Sequence, residues 1–374
     1  MTEAPLLLHV FSTFAVGGPQ LRFAVLANHF GAAYRHAVIA MDGNTECSTR
    51  LHSGLNVTFP EIQLRKAKAL SNVRRIRRLL RTLRPDLLLT YNWGAIEWAI
   101  ANRLLPITRH VHFEAGFGKE EADHQLRRRV LTRRWALARC ARIVVPSRRL
   151  EELARHVWKL PAEMITYLPN GVDVARFATP PRDTVPGFDR RSDELVIGTV
   201  AALRPEKNVG RLLRVFATLR SAAPVRLIIA GDGAERGALE GLAGELGISD
   251  RVIFAGRVVP ESVLGAFDIF SLASDTEQMP NALLEAMAAS RAVAAVDVGD
   301  VKGMVSEENR NFIVPRDDHL SFAAAIEHLL RDHAAREMLG RRNRDRVSAE
   351  FSQERMFAAY AELFAAGWAP RPVQ

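Results

Sequence analysis

Two glutamates with seven residues between them stand in Glu277-Gln278-Met279-Pro280-Asn281-Ala282-Leu283-Leu284-Glu285. An apolar run ending near Leu272 precedes them, and Leu283, Leu284, Ala286 and Met287 mark a helix behind Pro280. Proline suits the first helical position, where its missing N–H is not needed. The amides near Asn281 to Leu283 are then free to hold an anion, because the first turn of a helix offers them no internal acceptor. Glu277 falls on the loop ahead of this helix and Glu285 more than one turn inside it. Carboxylates accept hydrogen bonds from hydroxyls. The stretch therefore suits a ligand with phosphates at its middle and hydroxyl-bearing rings on either side, lined also by Gln278, Met279 and Ala282.

Other groups could serve the same ligand. Arg204 and Lys207 follow the apolar run Leu195–Val200. A planar guanidinium and a point-charge ammonium at a strand's carboxyl end suit a diphosphate and would offset charge developing on it as a leaving group. Gly231-Asp232-Gly233 follows the run Val225–Ala230, where glycines let a base or phosphate approach the backbone. Gly17-Gly18-Pro19-Gln20 follows the first apolar run and opens the periodic segment Leu21–Phe30, a second place for an anion at a helix start. His110 and His112 end the run beginning at Thr108; the strand is taken to turn the two imidazoles to opposite faces, one toward a cleft and one inward. Each feature alone is also compatible with a plain turn, a solvated charge or a structural histidine.

The elements that must position these residues are legible as short apolar runs separated by longer amphipathic segments. Strands are expected at Leu6–Phe11, His36–Ala40, Asp86–Thr90, Thr108–His112, Ile143–Pro146 and Ile165–Leu168, then at Leu195–Val200, Val225–Ala230, Val252–Ala255, Ile269–Leu272, Ala292–Asp297 and Asn311–Val314. Most are continuous Val/Ile/Leu/Ala runs, the mark of parallel strands buried on both faces, and the spacers are long enough for crossover helices. A polar, proline-rich stretch from Thr179 to Gly187 interrupts the series. We expect an N-terminal Rossmann-like domain over 1–178, a linker over 179–194, a second over 195–350, and a C-terminal helix over 351–374 that packs back on the first. Two α/β halves facing a central cleft would each offer strand carboxyl ends to a ligand.

Composition narrows the class. The 374 residues are 48% hydrophobic and 25% charged, ordinary for a globular protein. No apolar run approaches the ~20 residues of a membrane span, and Leu6–Phe11 reads as a buried strand and not a leader. Cys47 and Cys140 are too few for a disulfide framework, which favours a reducing cytoplasm. The net charge of +9 is unevenly placed: residues 1–186 hold 28 basic and 15 acidic residues, the remainder 23 and 27. Much of the excess lies in Arg74, Arg75, Arg77, Arg78, Arg81 and Arg84, around an apolar helical face of Val73, Ile76, Leu80 and Leu83, and in a second cluster at Arg127–Arg129 and Arg133–Arg134. These are solvated helix faces or a surface for anionic lipid, each residue contributing ~1 kcal/mol near such a surface. No nucleic-acid module is visible.

Taken together and in order, Gly17-Gly18, Pro169-Asn170-Gly171-Val172-Asp173, Arg204 with Lys207, Gly231-Asp232-Gly233 and the Glu277–Glu285 segment resemble the retaining glycosyltransferases of GT-B fold, family 4 or group 1. The resemblance spans residues 17 to about 300. It implies two Rossmann-like domains around a cleft, a nucleotide-sugar donor (UDP- or GDP-linked), a glycolipid or glycan acceptor, and no metal or other cofactor. It implies that Arg204 and Lys207 bind the donor diphosphate, that Glu277 meets the donor sugar, that Glu285 meets the ribose, and that His112, with His110 as competitor, is the cleft histidine. Gly17 and Gly18 would line the acceptor side. The sequence departs from the common pattern at Ser290 and Ala292, where the family often has glycine and proline, near Gly303, where many members carry glutamate, and at Glu114-Ala115-Gly116. A sugar-nucleotide epimerase of the same architecture, or a nucleotide-sugar-binding protein without catalysis, are the alternatives.

Overall fold

The computed structural model describes residues 3–368 apart from 66–67, 118–120, 122–123, 182–184 and 186. Arg182, Asp183, Thr184 and Pro186 of the expected linker thus lie outside the described residues. The chain divides into two compact units: residues 1–169 with 357–374, and residues 170–356.

The first unit is built on seven parallel strands: β1 (Leu6–Phe11), β2 (Arg35–Ala40), β3 (Val57–Thr58), β4 (Leu87–Tyr91), β5 (Arg109–Phe113), β6 (Arg142–Val145) and β7 (Ile165–Tyr167), in the order β3-β2-β1-β4-β5-β6-β7. The second holds six: β8 (Leu195–Val200), β9 (Val225–Ala230), β10 (Val252–Gly256), β11 (Ile269–Leu272), β12 (Ala292–Asp297) and β13 (Ile313–Pro315), in the order β10-β9-β8-β11-β12-β13. The strands at the sheet centres have no exposed face; β4 and β11 are buried at every residue. That is why they read as unbroken apolar runs. Each sheet grows outward in both directions from a central pair, β1 beside β4 and β8 beside β11. At those pairs the strand order reverses, which in α/β sheets places the ligand crevice beyond the strands' carboxyl ends. The strand missing from the sequence reading, β3, is a two-residue edge with too little apolar pattern to register.

Helices cover both sheets. In the first unit, helices Ala69–Leu83, Ile96–Leu104 and Arg127–Leu137 lie side by side. The last helix, Gln353–Trp368, sets His29 face to face with Phe357 (ring centroids 3.6 Å apart), Phe364 against Tyr34 (5.3 Å) and Tyr360 over Phe113 (6.0 Å). In the second unit a wholly buried polar pair replaces one stretch of ladder: Asn309 accepts from Val293 N and donates to Val293 O, while Asn343 donates to Asn309 Oδ1 and Arg291 O and accepts from Ser306 N. With every polar group met, the pair fixes the start of β12 without an unsatisfied atom.

Candidate functional site

In the second unit the loops after β8 and β11 meet at the crevice. The amide of Asp275 donates to Glu206 O (2.9 Å), and Asn208, left-handed at φ 39°, caps the helix Val209–Thr218 while its Nδ2 donates to Asp275 Oδ1 (3.0 Å). Arg211, one turn into that helix and almost fully buried, donates to Ala273 O (2.6 Å) and Asp275 Oδ1 (2.7 Å). This frame brings Lys207 Nζ within 2.5 Å of Glu277 Oε1, which also accepts from Ser274 Oγ at 2.8 Å. Residues 70 positions apart in sequence thus form one charged group, the ammonium a quarter exposed and the carboxylate a tenth. Arg204 stands exposed at the start of the same turn.

The helix behind Glu277 runs Asn281–Ala288. Pro280 is its N-cap, with extended backbone (φ −70°, ψ 122°), and not its first helical residue as expected; its carbonyl takes the amides of Leu283 (3.2 Å) and Leu284 (3.4 Å). The Leu283 amide is therefore engaged, and the open anion-facing amides narrow to those of Asn281 and Ala282. Proline still serves, because its fixed φ suits an N-cap that leaves the helix at once. Asn170 holds this corner: its Nδ2 donates to Met279 O (3.0 Å) and Asn281 Oδ1 (2.8 Å). Gly171 beside it cannot carry a side chain, since a Cβ would lie 2.9 Å from Ser352 O. From the other side, Gly299 (φ 58°) lets the loop after β12 close on the backbone of Glu277, and Asp300 N donates to Gln278 O (3.0 Å). Gln278 and Met279 are buried beneath the site.

Glu285 lies farther along the helix. Desolvation pushes its carboxyl up to about 7, against the pull of Arg176 and with the help of Glu261. Arg176 is itself committed to Glu261, with Nε 2.8 Å from Oε1. Gly231 and Gly233 follow β9 as expected, but what crowds them is protein: a Cβ on Gly231 would sit 1.8 Å from Ala201 O, and one on Gly233 2.3 Å from Leu203 O. The amide of Gly233 turns back to Asp232 Oδ1 (2.8 Å), and Leu203 N donates to Asp232 O (3.0 Å). These glycines bring the loops after β9 and β8 together.

The crevice of the first unit is assembled the same way. Gly17 caps the helix Gly18–Phe30, and Gln20 folds back to donate to Thr13 O (2.8 Å), so it braces the loop after β1; space beside Gly18 is open. Asn92 (φ 56°) after β4 accepts from Ala115 N (2.7 Å), and Gly94 lies so close to Ser12 that a Cβ would meet its Oγ at 1.7 Å. Sequence reading missed Asn92 and Gly94; an Asn-x-Gly directly after an apolar run was the available signal.

His110 and His112 do not turn to opposite faces. Both lie by Thr90 Oγ1, at 2.6 and 2.8 Å, because residues two apart on a strand share a face. His110 also touches Cys140 Sγ (3.2 Å), and burial beside His112 holds its ring down near 3. His112 is wholly buried, its Nε2 without a hydrogen bond and 3.7 Å from Glu114 Oε2. Arg133, expected in a solvated basic cluster, is buried. It donates to Glu114 Oε2 (3.2 Å) and in a fork to Glu121 (3.0 and 2.9 Å), and stacks among Trp93, Phe117 and Trp158. Burial alone would raise the Glu121 carboxyl, but the arginine hydrogen bonds hold it below its ordinary range.

Two family models match the chain: one described as glycosyl transferases group 1 over residues 184–346, and one described as glycosyltransferase family 4 over residues 16–176. The lipopolysaccharide core biosynthesis glycosyltransferase LpsE of Rhizobium meliloti is 30% identical over 179 residues, 48% of this chain and 52% of that protein. The 2-deoxystreptamine N-acetyl-D-glucosaminyltransferase of Streptomyces fradiae is 26% identical over 324 residues, 78% of this chain and 76% of that one. The match thus spans about half the length of the first relative. Among solved structures, Anabaena HepE in complex with UDP superposes with a TM-score of 0.81 at 18% identity, covering 97% of this chain and 100% of HepE. Sucrose-phosphate synthase from Thermosynechococcus elongatus does so at 0.78 and 22%, with the same coverage. At such identities the likeness is one of fold: two parallel α/β sheets.

Proposed function

Because this chain belongs to the group 1, family 4 glycosyltransferases of GT-B fold, we propose that it moves a sugar, with retention at the anomeric carbon, from a UDP- or GDP-linked donor to a glycolipid or glycan acceptor without a metal ion. The observation that carries the proposal is the Lys207–Glu277 pair, set across the strand-order reversal of the second unit beside the open amides of Asn281 and Ala282. In the reaction the bond from the anomeric carbon to the β-phosphate oxygen breaks, the acceptor hydroxyl oxygen bonds to that carbon on the same face, and the hydroxyl proton passes to the released diphosphate oxygen. The departing diphosphate gains negative charge. Lys207, held by Glu277, and the two helix amides are fixed donors for it, and fixed donors cost no reorganisation as charge develops; the exposed guanidinium of Arg204 adds a second cation. Glu277, its Oε1 held by Lys207 and Ser274, orients the sugar, and Glu285 accepts from the ribose.

Relatives and neighbours support the substrate class: LpsE acts in lipopolysaccharide core biosynthesis, and HepE binds UDP. The chain is proposed to work at a membrane surface. No described helix is long and apolar enough to cross one. Arg74, Arg78, Arg81 and Arg84 are exposed and, among the described residues, pair with no carboxylate. A thermal-shift screen of UDP-, GDP- and ADP-sugars identifies the donor, since a ligand bound only by the folded state raises its melting temperature. Product analysis by NMR with that donor then reads the anomeric configuration, with EDTA present throughout. An inverted product, or loss of turnover in EDTA restored by a divalent cation, overturns the respective part of the proposal.

A further inference from the structure

The end of the first sheet opposite its crevice carries a cavity. It has a volume of about 390 Å³, within the usual range for small-molecule sites, and lies at the amino ends of β5 and β6, between helices Ile96–Leu104 and Arg127–Leu137. Three arginines line it: Arg103 at the end of the first helix, Arg109 opening β5 and Arg139 just past the second helix. No acidic residue does. Arg103 Nη1 is buried without a hydrogen-bond acceptor, a costly state for a cationic donor that an anion would relieve. The wall is stiff. Asn102 donates to Thr108 O (2.9 Å) and accepts from Ile107 N (2.9 Å), and Thr108 Oγ1 is committed to Pro85 O (2.8 Å).

The rim is apolar where it faces solvent. Leu104 and Leu105, the link between Arg103 and Pro106 of the wall, are 51% and 66% exposed. Trp135 is 45% exposed and lies under the Arg103 guanidinium, 4.8 Å from its ring centroid. The arginine-rich helix Ala69–Leu83 joins this rim through Arg77, which donates to Ala101 O and Leu105 O (2.7 Å each). Exposed leucines and a tryptophan beside a three-arginine hollow match the cross-section of a lipid interface: apolar groups at acyl depth, an indole at the headgroup level, guanidinium forks at the phosphate.

We propose that this cavity binds the phosphate headgroup of an anionic phospholipid, with Leu104, Leu105 and Trp135 seated in the interface around it. The site rests on the membrane reading above and sharpens it from charge attraction to recognition of a phosphate. A soluble phosphate would use the arginines but leave the exposed leucines and indole without a role, which is why the lipid is the assigned occupant. The site opens at the amino ends of the strands, away from Gly17 and Asn92 beyond their carboxyl ends; its inner wall includes His110, whose ring centroid lies 6.4 Å from that of His112. It anchors the unit and takes no part in sugar transfer.

The test is vesicle flotation with three compositions: phosphatidylcholine alone, with phosphatidylserine, and with phosphatidic acid, whose phosphomonoester is uncovered, the last two matched in zeta potential. Wild type should float with both anionic vesicles and bind phosphatidic acid about tenfold more tightly. Arg139→Gln, at an exposed position, and Arg103→Gln should each erase that preference. Arg74→Gln with Arg78→Gln should weaken binding to both anionic vesicles equally and keep the preference. Equal binding of phosphatidylserine and phosphatidic acid by wild type, or a preference that survives Arg139→Gln, overturns the pocket while leaving charge-driven docking intact. No flotation with either overturns the membrane reading as well. Release from vesicles by millimolar inorganic phosphate at constant ionic strength would reassign the pocket to a soluble phosphate.

Discussion

Lys207→Ala separates the two tasks assigned to the ammonium: meeting the diphosphate and holding Glu277. The wild-type contact is a charged hydrogen bond of 2.5 Å, with the carboxylate a tenth exposed and the ammonium a quarter. Truncating one partner of a buried pair costs about 2–5 kcal/mol, and exposed pairs are worth under about 1, so a partly screened pair belongs near 2–3 kcal/mol. In kcat/KM that is a loss of roughly 30- to 150-fold. Glu277→Gln keeps the shape and the Ser274 contact but discharges the carboxylate, and should lower kcat with little change in nucleotide affinity. Lys207→Ala should lower both. If the two side chains act as one group, the double variant loses less than the product of the single losses, by a coupling of about 1 kcal/mol or more. The assay is initial rates with the donor found by thermal shift, with calorimetric titration of the nucleoside diphosphate alongside. Additive losses, or a Lys207→Ala enzyme within threefold of wild type in both measurements, would refute the reasoning.

Glu285, raised to about 7 from an ordinary 4.5, is protonated in the folded protein where the unfolded chain has already ionised, so its contribution to stability falls as pH rises from 4.5 to 7. The ionised carboxylate is the stronger acceptor for ribose hydroxyls; nucleotide-sugar affinity should therefore strengthen as pH rises through 7, and Glu285→Gln should flatten that dependence in calorimetry between pH 6 and 8. Ser290 ends its helix at φ 58°, a conformation that costs a side-chain-bearing residue about 1 kcal/mol or more, so Ser290→Gly should raise the stability by about that much in chemical denaturation and leave kcat unchanged. Asn343→Leu strands Ser306 N and Arg291 O in a dry interior, at about 1–3 kcal/mol for each group, and should lower the melting temperature sharply whatever the donor present.

The strands were legible because a strand buried on both faces has no polar positions to confuse the pattern, as in Leu87-Leu88-Leu89 or Leu227-Ile228-Ile229. The loops beyond them were legible only as residue types. Glycines at 231 and 233 announced close approach, but a sequence cannot say what approaches, and here it is Ala201 O and Leu203 O. Lys207 and Glu277 could be named separately; their contact depends on β8 and β11 being neighbours, a fact of topology. Ser290 shows the converse case. As a departure from a familiar glycine it invites doubt about the donor, yet the structure shows a left-handed helix end with Gly340 packed so closely that a Cβ there would meet Ser290 O at 2.1 Å. The departure concerns backbone strain. Arg133 was misjudged because charge composition does not reveal a partner: two glutamates and three aromatic rings make burial of its guanidinium tolerable.

Arg133 and Arg211 solve one problem in two units. Each crevice needs a loop after a strand to hold an acidic side chain in place, and loops left to themselves are the mobile part of an α/β fold. In the first unit Arg133 reaches from a helix to Glu114, directly after β5, and to Glu121. In the second, Arg211 reaches from a helix to Ala273 O and Asp275, directly after β11 and just before Glu277. Lysine could supply the charge in either place but not two donors in a fixed plane, and the fork is what ties two acceptors to one side chain. Burying a guanidinium is costly unless all its work is done by such bonds, so these arginines add little to stability for the space they occupy. What they supply is position. A loop held at two points keeps Glu277 beside Lys207 before any ligand arrives, and a site fixed in advance spends none of its binding energy on ordering itself.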